Sequence, residues 1–223
     1  MTMENTRSRL LILICVTVAL VAVLVWRLTA PSAPSDGDGV AFRRIQDLAN
    51  NGDDAALVKE ASNKDSKAAC RAVRVMGRVG TRALPGIRAA MKDTRPEVRQ
   101  EAMIAVSSAG NEGDTPVLSN VVAADESAVV RAAAARTLGR MKAYTEVELL
   151  LKAMDDDDLN VRRHANAAIV KIIGASVSFK ASDPVEKRRA DIASMRAMWG
   201  TMKAKTIEFY ENRKRYRETH GNK

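Results

Sequence analysis

Residues that carry chemistry or stacking are scarce in this chain: 223 residues include two Cys, two His, two Trp, three Tyr and three Phe. Cys15 lies inside an apolar run and Cys70 inside a helical pattern, so no disulfide framework and no Cys/His metal spacing exist. His220 sits near the end of the chain, which leaves His164 as the only internal imidazole for acid–base work. No G-x-S-x-G elbow and no phosphate-binding glycine loop is present, so neither a catalytic activity nor a bound cofactor or metal is expected. Trp26 and Trp199 fall towards the two ends of the chain, which leaves base stacking without a host and makes a nucleic acid an unexpected partner.

The chain does contain a repeat. NKDSKAACRAVRVMGRVG from Asn63, DTRPEVRQEAMIAVSSAG from Asp93, DESAVVRAAAARTLGRMK from Asp125 and DDDLNVRRHANAAIVKIIG from Asp156 align without a gap. Their starts lie 30, 32 and 31 residues apart, a period expected of stacked two-helix units. Ala68, Val98, Val130 and Val161 recur five residues after each start, and Arg99, Arg131 and Arg162 follow in the last three copies. Small residues at Ala72, Ala102, Ala134 and Ala165 and larger ones at Met76, Val106, Leu138 and Ile169 complete one buried helical stripe.

A shorter apolar pattern separates the copies, at Thr81–Met91, Asp114–Ala123 and Tyr144–Met154. Pro85 and Pro116 fall near its start, where a missing N–H costs little. Gly80, Gly110 and Gly113 mark the intervening turns. The pattern D-x4-V-R-x2-A-x3-L with a preceding Pro/Leu-rich helix resembles the HEAT family in its short bacterial, bilin-lyase-type form, over about Asp53 to Gly174. The resemblance implies an all-α, right-handed solenoid of helix-turn-helix repeats. It also implies that Asp93, Asp125 and Asp156 cap the second helices while Arg99, Arg131 and Arg162 tie them to neighbouring turns as a ladder. Copy one has Asn63 and Ala69 at these positions, so the resemblance does not extend the ladder to it. Some members of the family are bilin lyases or DNA glycosylases, so a lyase-type activity stands as an alternative by analogy alone.

Upstream, Leu10–Trp26 carries no charge and is flanked by Arg9 and Arg27. At 1.5 Å per residue such a run reaches about 25 Å, at the short end of what crosses a bilayer. Leu28 and Pro31 make poor −3 residues for cleavage after Ala30 or Ala33, which favours an uncleaved anchor over a removed signal. Arg7 and Arg9 keep the N-terminus in the cytoplasm and send the repeats to the other side. The expected organisation is a stub at 1–9, a transmembrane anchor at 10–28, a flexible stalk at 29–40, the array at 41–174, and a capping helix with a basic tail at 175–223.

The net charge of +9 is unevenly spread, with +7 in Asn63–Lys92 and +6 in Pro184–Lys223. Lys67, Arg71, Arg74 and Arg78 form one helical ridge in copy one. Arg74 aligns with Arg136, and Arg78 with Arg140 and Lys171, which outlines an interrupted basic strip on the second helices. Glu97 and Glu101 interrupt it in copy two, which favours a solvated face over an anion site. Asp155–Asp158 lacks the spaced ligands of a calcium loop and suits a helix start. Ser182–Glu186 opens a last helix whose stripe, Val185, Ile192, Met195, Trp199 and Met202, is suited to close the array, with Gly200 as an expected kink or break. The pattern as a whole reads as a membrane-anchored scaffold for another protein, with a polyanion-binding strip as the alternative.

Overall fold

Helix begins earlier than a flexible stalk at 29–40 allows. In the computed structural model, which describes residues 36–175 and 178–221, α1 spans Asp36–Asn50. The chain divides into two compact units, 1–43 and 44–223. The described part of the first is the opening of α1. The apolar run Leu10–Trp26 lies outside the described residues, and among those described no helix is long and apolar enough to cross a membrane.

The second unit is all-helical among its described residues. Short first helices α2 (Asp54–Ala61), α4 (Leu84–Ala90), α6 (Thr115–Ala124) and α8 (Val147–Ala153) alternate with second helices α3 (Ser66–Val79), α5 (Pro96–Ala109), α7 (Ala128–Met141) and α9 (Leu159–Ile173). Each first helix after α2 is entered through a 3₁₀ turn, at Thr81–Ala83, Glu112–Asp114 and Tyr144–Glu146. Pro85 and Pro116 occupy the first turns of α4 and α6, where the backbone has no partner to lose. Each first helix packs on its own second helix, and α3, α5, α7 and α9 pack on one another in sequence. Ala72, Ala102, Ala134 and Ala165, with Met76, Val106, Leu138 and Ile169, are fully buried along this seam.

The seam is tight where small residues meet. A Cβ on Gly77 of α3 would lie 3.1 Å from Ala105 of α5, and one on Gly139 of α7 only 2.7 Å from Ala168 of α9. Between α5 and α7 the contact is polar instead, with the buried Thr137 hydroxyl donating to the Met103 carbonyl at 2.8 Å.

α10 (Val185–His220) closes the open end against α8 and α9 and buries Ile192, Met195 and Trp199. It runs unbroken through Gly200, whose surroundings are open, so the residue costs only local helix propensity. The basic segment Arg213–Arg217, expected as a tail beyond the capping helix, is therefore part of that helix. This last part crosses the turns of earlier repeats. Tyr210 stacks on Tyr144 with ring centroids 5.0 Å apart, and its hydroxyl donates to the Ile172 carbonyl at 2.8 Å. The Tyr144 hydroxyl donates to Glu211, and that bond, with burial, pushes its pKa up to about 12. Lys214 reaches Glu112 at 2.8 Å.

Candidate interaction surface

The opening Asp of each repeat sits two residues before the helix cap, and so corrects the capping role that the family pattern implied. The caps are Asp65, Arg95, Ser127 and Asp158. Asp93, Asp125 and Asp156 instead accept the N–H of that cap residue, at 2.9, 2.9 and 2.8 Å, in an Asx-type turn. Asn63 makes the same turn with Asp65 at 3.0 Å. A short polar side chain satisfies its own backbone here, and each carboxylate still accepts from a neighbour.

The neighbour is a guanidinium, which meets both oxygens. Arg99 forks onto Asp125 with two bonds of 2.9 Å, while its remaining nitrogen bonds the Asp93 and Thr94 carbonyls at 3.0 Å. Arg131 repeats this one unit later, at 2.9 and 3.0 Å to Asp156 and 2.8 Å to the Asp125 carbonyl. Arg162 has no further Asp to reach, and bonds the Asp156, Asp157 and Ala181 carbonyls at 2.7–2.9 Å. Each rung joins two turns through a planar fork, which lysine cannot imitate. Burial alone pushes the Asp156 carboxyl up, but hydrogen bonds from Arg131 and the Asp158 N–H outweigh it, so its pKa lies below the usual value.

Copy one, with Ala69 in place of the arginine, has a rung supplied from the other side. Arg95 forks onto Asp93 at 2.8 and 2.9 Å and bonds the Asn63 and Lys64 carbonyls at 2.6 and 3.4 Å. These carbonyls and this carboxylate are the counterparts of the groups that Arg99 holds one repeat later. The guanidinium is conserved in place while its residue has moved to the next turn. Nothing in the alignment pointed to Arg95, because it occupies a cap position that is Ser or Asp in the other later copies.

On the second helices the predicted basic strip divides in two. In copy one, Arg74 is paired with Glu101, and Arg78 donates to Gln46 at 3.0 Å. Half-buried Arg71 and exposed Lys67 line the same groove as Glu97 and Glu101. Burial first, then Glu101 and Glu97, pushes the Cys70 thiol up, which keeps it protonated and unreactive. This half of the ridge is compensated by carboxylates of α5.

The other half is not. Arg136 and Arg140 of α7 and Lys171 of α9 are exposed, and with half-buried His164 they surround a groove of about 340 Å³ whose lining includes no carboxylate. His164 is held below its ordinary pKa by burial, then by the charges of Arg136 and Arg163. Lys171 also borders a second cleft, of about 620 Å³, between α9 and α10. Lys142 and Lys205 enter that cleft beside apolar Ile172, Met202 and Phe209, again without a carboxylate. Sequence periodicity placed Arg136, Arg140 and Lys171 on this face but gave no reason to add Lys142, the cap residue at the end of α7, or Lys205, which α10 brings in from a distant part of the chain.

The Asp155–Asp158 run is absorbed by structure. Asp155 pairs with Arg188 and Arg189 at 3.5 and 3.2 Å, Asp156 holds Arg131, and Asp158 caps α9. Among the described residues no group of His, Cys, Asp and Glu is arranged to hold a metal ion.

No curated protein matches the sequence. A solved structure, the complex of CpcE and CpcF of phycocyanin lyase from Nostoc sp. PCC7120, matches at a TM-score of 0.47 and 18% identity, over 64% of this chain and 97% of that one. A likeness of that degree carries no functional argument. The HEAT-repeat family matches residues 55–137 and again 115–194. With the match spanning more than half of the sequence, and with the alternating helices and their arginine rungs in view, the chain belongs to the HEAT-repeat family.

Proposed function

We propose that the chain is a membrane-anchored scaffold whose HEAT array binds another protein. The anchor is Leu10–Trp26, with the N-terminus in the cytoplasm and the array on the far side of the membrane. The observation that carries the scaffold reading is the stapled array itself. Consecutive second helices are fixed turn to turn by guanidinium forks, so α3, α5, α7 and α9 present side chains at fixed spacing along one face. A surface of that kind serves recognition. A lyase-type activity has only family analogy behind it.

The test uses the tagged full chain in detergent-solubilised membranes beside Ala134→Glu, which places a charge in the fully buried seam. A protein that co-purifies with the native chain, is absent with the variant, and rebinds as a purified component is the expected result. Failure of any protein to meet those three conditions sinks the scaffold reading. For topology, a tag after Lys223 should be digested by protease added outside cells whose outer barrier has been opened. Protection there inverts the orientation.

A further inference from the structure

We propose that the connected clefts between α7, α9 and the middle of α10 bind an acidic segment of the partner protein that carries an aromatic or large aliphatic side chain. This rests on the scaffold reading and assigns it a site and a chemistry.

Charge complementarity carries the assignment. Arg136, Arg140, Lys142, Lys171 and Lys205 converge on two clefts that share Lys171, and no Asp or Glu lines either one among the described residues. The same surface in copy one shows how the fold treats cations that need only solubility, by opposing them with Glu97 and Glu101 of the next helix. Here the next helix carries Asn160 and His164 at the positions of Glu97 and Glu101, and Ala167 and Ala168 line the groove beside them. Like charges gathered without counter-charge raise the free energy of the unliganded protein, and an anionic ligand relieves it.

Lys142 adds a second observation. It is the only non-glycine residue with positive φ among the described residues, at φ 57° and ψ 41°, where a helix usually ends on glycine. Its ammonium reaches the Lys171 carbonyl, and burial, then Lys171 and Arg213, hold its pKa down. With its ammonium on the Lys171 carbonyl at the end of α9, this lysine adds its charge to those of Lys171 and Arg213 beside the cleft.

The apolar part selects the class of ligand. Phe209 is 57% exposed at the rim, edge-on to Tyr210 at 5.2 Å, with Ile172 and Met202 below. One side chain fits against such a wall. A single-stranded nucleic acid needs successive free rings, and Tyr210 is already stacked on Tyr144. A bilayer surface meets cations that project, whereas these line recesses.

The experiment measures fluorescence anisotropy of a labelled oligoglutamate peptide with a tryptophan at each end, added to the full chain in neutral detergent. The peptide should bind, an oligoglutamine version should not, and Arg136→Gln/Arg140→Gln/Lys171→Gln should weaken it by about tenfold, three exposed ion pairs being lost. Phe209→Ser should weaken it several-fold, and Lys67→Gln/Arg78→Gln should leave it unchanged. Equal losses from the Lys67/Arg78 pair, or no loss from the triple variant with an unchanged melting curve, overturn the site. Displacement of the peptide by phosphatidylglycerol vesicles or by oligothymidylate at lower concentration than by unlabelled peptide overturns the ligand class. A purified partner that still binds the triple variant as tightly as the native chain sinks this inference and leaves the scaffold reading intact.

Discussion

The displaced rung in copy one shows which constraint acts on individual residues: the fold requires a guanidinium at each turn-to-turn joint, and it is indifferent to which turn supplies it. Arg99 and Arg131 were legible from D-x4-V-R spacing, because both partners of each rung recur with the period. Arg95 was not, since its partners are two backbone carbonyls and an Asp two residues away, and none of these leaves a periodic mark. The two kinds of rung should differ in cost. Arg99→Ala leaves the nearly buried Asp125 carboxylate without its fork, and should destabilise by about 3–5 kcal/mol. Arg95→Ala faces more water on both sides and should cost about 1–2 kcal/mol. Adding Ala69→Arg to the Arg95→Ala chain should recover most of that loss. Urea denaturation of the four chains checks this, and a double variant less stable than Arg95→Ala alone rejects the shared site.

Elements were legible where apolar spacing set them, and obscure where packing did. The second helices follow from their alanine and leucine-like stripe, and Pro85 and Pro116 mark the first helices. The start of α1 and the continuity of α10 were misread for one reason. Gly and Asp lower helix propensity by only about 1 kcal/mol or less each, which the packing of the rest of a helix exceeds. The glycines of the array make the contrast measurable. Gly139→Ala gains propensity but drives a methyl to 2.7 Å from Ala168, so the α7–α9 seam must open, at about 1–3 kcal/mol. Gly200→Ala meets open space and should stabilise α10 by up to about 1 kcal/mol. Opposite signs in thermal melts are the expected outcome. Stabilisation by both substitutions means that the seam is looser than the 2.7 Å approach describes.

At the scale of the whole molecule, charge was countable in sequence but its compensation was not. The +7 of Asn63–Lys92 contains the ridge Lys67–Arg78, where Arg74 is paired with Glu101 and Arg78 bonds Gln46, whereas the groove of Arg136, Arg140 and Lys171 has no carboxylate in its lining. Helical periodicity assigns a residue to a face, and only packing decides what that face meets. The same distribution sets how stability responds to acid. Asp93 is held below its ordinary pKa chiefly by Arg95, and Asp156 by Arg131 against its own burial, so the unfolded chain binds these protons more readily. Their contribution is full above the unfolded carboxylate value of about 3.9 and is lost as pH falls through the lower folded values. His164 is also depressed, by burial and then Arg136 and Arg163, so its contribution is full above about 6.5 and declines as pH falls towards its folded value. Stability should therefore fall in two windows on acidification, one below neutrality and one below about pH 4, and rise nowhere between them on these three groups' account. His164→Gln should remove the upper decline and spare the lower, while Asp156→Asn should lower stability at neutral pH and flatten only the acid limb. Guanidinium denaturation from pH 3 to pH 8 reads both arms, and an upper decline that persists unchanged in His164→Gln assigns it to a group other than this imidazole.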